Sequence, residues 1–243
     1  MEWLMASISG STTHTLAPWA VWHARWMVLA WGVLLPVGVL IARFFKVLPT
    51  QNWPQVLDNT VWWHTHRALQ WAGFACMLVG LWLVWGKATG RGDLLQLHGS
   101  VGLLVCVLAV LQVLGALARG SKGGPTEPTL RGDHYDMTPR RRVFERLHKG
   151  LGWLAVLLSV VVMGMGLTMV DAPRWMVLAL LVWWLALLAI FVYLQRAGRC
   201  VDTYQAIWGP EAHHPGSSMQ PIGWGIVRAS ALPSAQGLQR RAR

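Results

Sequence analysis

Nine histidines occur in this chain of 243 residues, and four of them, His23, His66, His98 and His148, are placed to do chemistry. Each falls in the first turn or so of a long apolar stretch, where an ionisable side chain is a functional candidate by default. Neutral imidazole ligates iron, copper, zinc and nickel. A hydrolytic zinc or a non-haem iron adds carboxylates or further ligands. The apolar stretches that follow these histidines contain no Asp or Glu, and Glu145 alone comes near a ligand position. His64 lies two residues from His66 and points about 200° away on a helix, whereas Gln70 and Gly73 share the face of His66. His14, His134, His213 and His214 fall in loops or tails and are expected to be solvated.

The elements that must position the four histidines are membrane spans. The chain is 54% hydrophobic and 13% charged, with 17 tryptophans, and its mean hydropathy is +0.41. Soluble domains average about 25% charged residues. Crossing a bilayer takes about 20 apolar residues, and such stretches occur five times, at 22–42, 68–86, 99–118, 150–170 and 175–194. Tryptophans crowd the span ends, at Trp19, Trp22, Trp53, Trp62, Trp63, Trp85 and Trp175, as an interfacial aromatic belt requires. The first 21 residues lack the basic start and small-residue cleavage site of a secretory signal, so the first span is expected to be retained. Cys76, Cys106 and Cys200 have no paired spacing and read as small packing residues.

Five spans alternate the loops between two sides. One side holds Arg25, Lys87, Arg91 and Arg174, and the other holds the remaining 17 of the 21 Lys and Arg. This bias puts the second side in the cytoplasm, the N-terminus outside and the C-terminus inside. It also accounts for the net charge of +11 without nucleic acid. The expected fold is therefore an all-α integral membrane protein with five transmembrane helices, of which the first four form a cofactor-binding bundle. Residues 1–21 form an extracytoplasmic segment, 22–170 the four-helix core, 171–195 the fifth helix and 196–243 a cytoplasmic tail. The tail is polar, although the run Tyr204-Gln205-Ala206-Ile207-Trp208 is out of place in a purely solvated segment. Between the third and fourth spans, Thr138-Pro139 is a helix-start signal.

Topology pairs the histidines. The first and third spans start outside, which puts His23 and His98 at one depth. The second and fourth start inside, which puts His66 and His148 at the other. A four-helix bundle wound in chain order sets those partners across its diagonals, where bundles build cofactor sites. Two imidazoles with no carboxylate suit haem, whose macrocycle supplies the other four ligands. The absence of CxxCH argues against covalent attachment. Gly73, Gly102 and Gly152 lie on the faces of His66, His98 and His148, where they fit either a flat cofactor or close helix packing. At about 1.5 Å rise per residue, the two histidine levels are roughly 20 Å apart. The reading is two b-type haems, one near each membrane face.

The same residues resemble the cytochrome b561 family. The segment from Leu34 to Lys46, LLPVGVLIARFFK, which follows His23, is similar to the first core helix of that family, and His66-x-x-x-Gln70 is similar to the second. His98-Gly99-Ser100-Val101-Gly102 with Leu111-Gln112-Val113 resembles the third. Arg142-x-x-x-Arg146-x-His148-x-x-x-Gly152 resembles the fourth. The resemblance covers about residues 20 to 170. It implies a transmembrane electron carrier with two b haems, ligated by His23 with His98 and by His66 with His148. It also implies that Arg43 and Lys46, with Arg142 as a further candidate, contact an ascorbate-like electron donor. The fifth span follows the core rather than an extra helix preceding it, which resembles a bacterial or stand-alone member in an inner membrane.

Two other readings stay open at this point. In one, the chain is the haem-containing membrane subunit of a larger dehydrogenase that exchanges electrons with quinone, whether as a homodimer or within a complex with a partner redox protein. In the other it is a transporter or scaffold with incidental histidines, for which Gln70 and Gln112 are sparse polar lining. Arg43, Lys46 and Arg142 equally suit haem propionates or anionic membrane lipid.

Overall fold

The computed structural model describes residues 1–10, 16–87 and 92–229; His14 and Arg91 lie outside them. Five long helices account for the spans: α1 (Pro18–Phe44), α2 (Val61–Val84), α3 (Asp93–Leu117), α4 (Pro139–Met169) and α5 (Arg174–Arg196), each long and apolar enough to cross a membrane. A short α6 (Thr203–Trp208) follows in the tail. No strand forms among the described residues, only isolated bridges at Ser7–Pro173 and Val201–Val227. The helices start ahead of the apolar stretches, and α4 starts farthest ahead, at Pro139. Thr138 accepts the Arg142 amide on its carbonyl at 3.0 Å, and its hydroxyl donates to Asp133 at 2.8 Å. Proline at the first helical position, where no amide partner is needed, fixes the start.

The chain forms two compact units. The first comprises Met1–Val39, His66–Gln112 and Leu151–Phe191. Its core is Ala30, Trp31, Leu35, Met77, Val105, Cys106, Leu108, Ala109, Ala155 and Met163. Large apolar side chains such as Leu103, Leu157, Val182, Leu185 and Leu188 face outward, as a lipid solvent permits. Within α1, Val28–Leu34 is π-helical. Pro36 has no N–H, so one carbonyl of the preceding turn loses its helical donor. The Trp183 indole of α5 donates to the Gly32 carbonyl at 2.8 Å. In hydrocarbon an unpaired carbonyl is costly, and interhelical bonds of this kind contribute about 1 kcal/mol. Trp183→Phe should therefore lower the thermal unfolding midpoint in detergent by that increment, whereas Trp82→Phe, at an exposed tryptophan, serves as the control that should not. A midpoint unmoved by Trp183→Phe would show the bond to be dispensable.

The second unit comprises Leu40–Thr65, Val113–Gly150 and the chain from Val192 onward. Here the tail folds. Asp202 caps α6 by accepting the Tyr204 amide at 3.3 Å, and Tyr204 through Trp208 are buried. Arg228 ties the returning chain to Asp202 at 2.5 Å and to the carbonyls of Ser217 and Met219. Met137, Tyr204, Ile207 and Trp208 make a small apolar core. The polar composition around the Tyr204–Trp208 run concealed this folding, because the buried residues occupy one short helix. Cys200 is also buried in this unit, 1% exposed, and all three cysteines are free thiols.

Candidate functional site

In the first unit, α1 and α2 exchange histidine contacts. The His23 Nδ1 of α1 lies 2.9 Å from the Gly80 carbonyl of α2. The His66 Nδ1 of α2 lies 2.9 Å from the Gly38 carbonyl of α1. Both carbonyls accept only if Nδ1 carries the proton, which leaves Nε2 as the ligating lone pair, the usual arrangement of a metal-bound histidine. Glycine at these positions lets helices and rings approach closely. A Cβ on Gly38 would collide with the Gln70 amide, whose Nε2 donates to the Leu35 carbonyl at 3.1 Å. These two glycines carry no signal of their own in the sequence, because a carbonyl acceptor leaves no trace in side-chain type.

His98 of α3 stands opposite His23, with ring centroids 6.2 Å apart and planes inclined by 74°. On its other side, a Cβ at Gly166 of α4 would lie 3.3 Å from His98 Cε1, so Gly166 leaves room for the ring. The glycines on the histidine faces divide. At Gly73 a Cβ would meet Leu35 at 2.7 Å, which is close helix packing. At Gly102 and Gly152 the nearest atoms, of Val162 and Gln112, are 3.7 and 3.8 Å away, leaving ordinary room. His64 is exposed. Among the described residues, no group of three or more His, Cys, Asp or Glu converges as a metal site.

In the second unit, His148 packs on Phe144 one turn earlier, with centroids 5.1 Å apart. Arg142 is partly buried, and its Nε is buried without a hydrogen-bond partner. Arg43 and Lys46 are turned to the tail. Arg43 donates to Gln195 Oε1 at 2.8 Å and the Trp224 carbonyl at 2.9 Å, and its guanidinium lies 3.9 Å from the centre of a Trp224 ring. Lys46 is buried and donates to the carbonyls of Arg43 and Val201, both at 3.1 Å. Burial pushes its ammonium down to about 8.

His134 is 1% exposed, which corrects its expected place in solvent. It sits in a Gly- and Pro-rich loop, but Tyr204 and Trp208 close over it, with ring centroids 5.8 and 6.5 Å away. Nearby, the buried Glu145 accepts from Arg141 at 3.0 Å and Lys149 at 2.7 Å. Their i, i+4 spacing along α4 was legible in the sequence. His214, also expected in solvent, is half-buried 3.5 Å from Glu211.

Burial, then the charge of Arg141, pushes the His134 imidazole down from 6.5 to about 3, against a partial offset from Glu145. The folded protein holds it neutral, and the unfolded chain takes up a proton below pH 6.5. Its contribution to stability is therefore complete above pH 6.5 and is lost as the pH falls from there toward 3. The slope approaches about 1.4 kcal/mol per pH unit. The difference in unfolding free energy between the protein and its His134→Gln variant should shrink by that slope from pH 6.5 downward. A difference independent of pH would contradict a buried neutral imidazole.

Fold and site together define an integral membrane protein with five apolar helices and histidines arranged between the helices of its bundle. A family model described as eukaryotic cytochrome b561 matches residues 22–122. A cytochrome b561 and DOMON domain-containing protein of Arabidopsis thaliana is 32% identical over 150 residues, 61% of this chain and 28% of that protein. Ferric-chelate reductase 1 of Bos taurus is 33% identical over 152 residues, 62% of this chain and 22% of its own length. The human protein of that name is 30% identical over 151 residues, with the same coverage of 62% and 22%. No solved structure matches. Over residues 22–122 the chain is similar to the cytochrome b561 family, and it spans about a quarter of the length of these relatives.

Proposed function

We propose that this chain passes electrons across the membrane through two b-type haems, one held by His23 with His98 and the other by His66 with His148. The observation that carries the reading is the separation of His23 and His98. That spacing would let both imidazoles reach one metal ion at ordinary metal–nitrogen distances of ~2.0 Å. The centroids are 6.2 Å apart. The donor set agrees, since two imidazoles without a third protein ligand suit a metal whose other ligands come from a macrocycle. The same chemistry is supported for the inner pair by the Nδ1 proton that His66 gives to Gly38.

Bound haem supplies a one-electron couple, with a potential set by axial ligand and burial. The chain supplies the rest. Gly80 and Gly38 hold His23 and His66 in one tautomer and one orientation. Histidines used in pairs leave no open ligand position, so the reading is electron transfer without oxygen chemistry. Buried Trp31, Leu35 and Met77 exclude water from the core of the first unit. Arg142, with its buried unpaired Nε, is the strongest candidate for a propionate or an anionic reactant. Arg43 and Lys46 are read as fastening the tail rather than meeting the donor. The donor and acceptor are drawn from small ascorbate-like reductants, quinone and partner redox proteins. The charge bias supports an N-terminus outside and a cytoplasmic C-terminus. It is equally compatible with a bacterial inner membrane, although the relatives above are eukaryotic.

The test is transfer across a sealed membrane. Haem-loaded protein in vesicles with trapped ferricyanide should bleach it when ascorbate is added outside, and the His66→Ala and His98→Ala variants should not. Haem-loaded protein that leaves the trapped ferricyanide oxidised would overturn the proposal.

A further inference from the structure

We propose that the second unit contains a binding site for a small oxyanion, a carboxylate or phosphate group, in a cavity lined by Asn59, Trp63, Arg119, Lys122, His134 and Arg141. The cavity has about 50 Å³ of space for the centres of water-sized groups, which is room for a few such groups and so for a compact anion rather than a larger molecule.

Three features of its walls point to an anion. The first is a pair of unmet polar atoms. Asn59 Nδ2 and His134 Nε2 are buried, and neither has a hydrogen-bond partner. The Asn59 amide is not free to turn, because its Oδ1 accepts the Val61 amide at 3.0 Å at the start of α2. His134 Nε2 lies 3.7 Å from Glu145 Oε1, beyond hydrogen-bond reach. Buried polar groups of native proteins find partners in protein, water or ligand, so two of them on one cavity wall mark a place for an occupant.

The second feature is charge. Arg119, Lys122 and Arg141 line the cavity, and Asp58 is the one carboxylate among its lining residues. Asp58 is already engaged by Lys122 and Thr126. Behind the wall, Glu145 is shared between Arg141 and Lys149. Cations exceed carboxylates even when Glu145 and Lys149 are counted, so the cavity has a positive field that favours an anion. The same field, through Arg141, Lys149 and Lys122, helps to keep a proton off His134.

The third feature is positioning. The Arg119 guanidinium lies 4.2 Å from the centre of a Trp63 ring, a stack that orients a planar fork of donors suited to carboxylate or phosphate. The Ser121 carbonyl accepts the His134 amide at 3.2 Å, joining the two ends of the loop that carries Lys122 and His134.

The occupant has two possible sources, a soluble anion or the headgroup of an anionic lipid, and the experiment separates them. Full-length protein in phosphatidylcholine nanodiscs is titrated calorimetrically with inorganic phosphate, and lipid retained from phosphatidylglycerol nanodiscs is counted by native mass spectrometry. Saturable phosphate binding, weakened about tenfold in Arg119→Gln and in Asn59→Leu but unchanged in the exposed Arg196→Gln, is the expected result and assigns a soluble anion. Retained phosphatidylglycerol that is lost in the same two variants and competes with phosphate assigns the headgroup. Absence of both, or binding indifferent to Arg119 and Asn59, overturns the site and leaves water as the partner of the two buried atoms. Neither assay requires haem, so failure here is separable from failure of the electron-transfer reading.

Discussion

Under the proposed ligation, a His98→Ala variant is expected to carry one haem per chain where the parent is expected to carry two. His98 faces His23 across 6.2 Å, with Gly166 clearing space for its ring, and alanine offers no donor in its place. His23 keeps its Gly80 contact but is left as a single ligand, with too little affinity to retain the cofactor through purification. The inner pair is unaltered, so half of the visible absorbance should remain. His64→Ala is the matched control. His64 is exposed, and its loss should leave both haems in place. Extraction and counting of haem per chain in the two variants decides the matter. Full haem content in His98→Ala, or a loss in His64→Ala, would show that the ligands have been misassigned.

Glu145→Ala is expected to cause the largest loss of stability among single changes outside the histidines. Glu145 is 6% exposed and binds Arg141 and Lys149 at once. Replacing a buried ion pair with apolar residues can be neutral, but removing one member strands the others. Here two cations beside the neutral His134 would lose their shared carboxylate. The expected cost is about 3 kcal/mol, at the lower end for broken buried pairs because Lys149 keeps some exposure. Thermal unfolding of the variant in detergent should show a midpoint many degrees lower. Arg131→Ala, which breaks the exposed pair with Asp136, should change it little. Equal effects would mean that Glu145 is solvated.

The two predictions rest on features that differed in how far the sequence disclosed them. The five spans were legible because an apolar run of bilayer length has few other uses, and Thr138-Pro139 marked the start of α4 ahead of its apolar run. His66 could be separated from His64 by helical phase alone. The carbonyls of Gly38 and Gly80 could not be read, since backbone acceptors become visible only when two helices are brought together. Nor could the link from Trp183 to Gly32, although Pro36 signals that a carbonyl of the preceding turn loses its donor. His134 was hidden for a different reason. Glycine, proline and charge around it describe a solvated loop, and its burial comes from Tyr204 and Trp208, about 70 residues away. The Arg141, Glu145 and Lys149 spacing was available as an i, i+4 series, but nothing in it announced that the carboxylate is buried.

The central claim, two haems held by two pairs of histidines, is tested most directly by counting. Protein purified from cells with ample haem supply should contain two b-type haems per chain, with a reduced-minus-oxidised spectrum and low-spin electron paramagnetic resonance signals from two bis-histidine centres. One haem per chain, none, or a high-spin centre with an open ligand position would contradict the account.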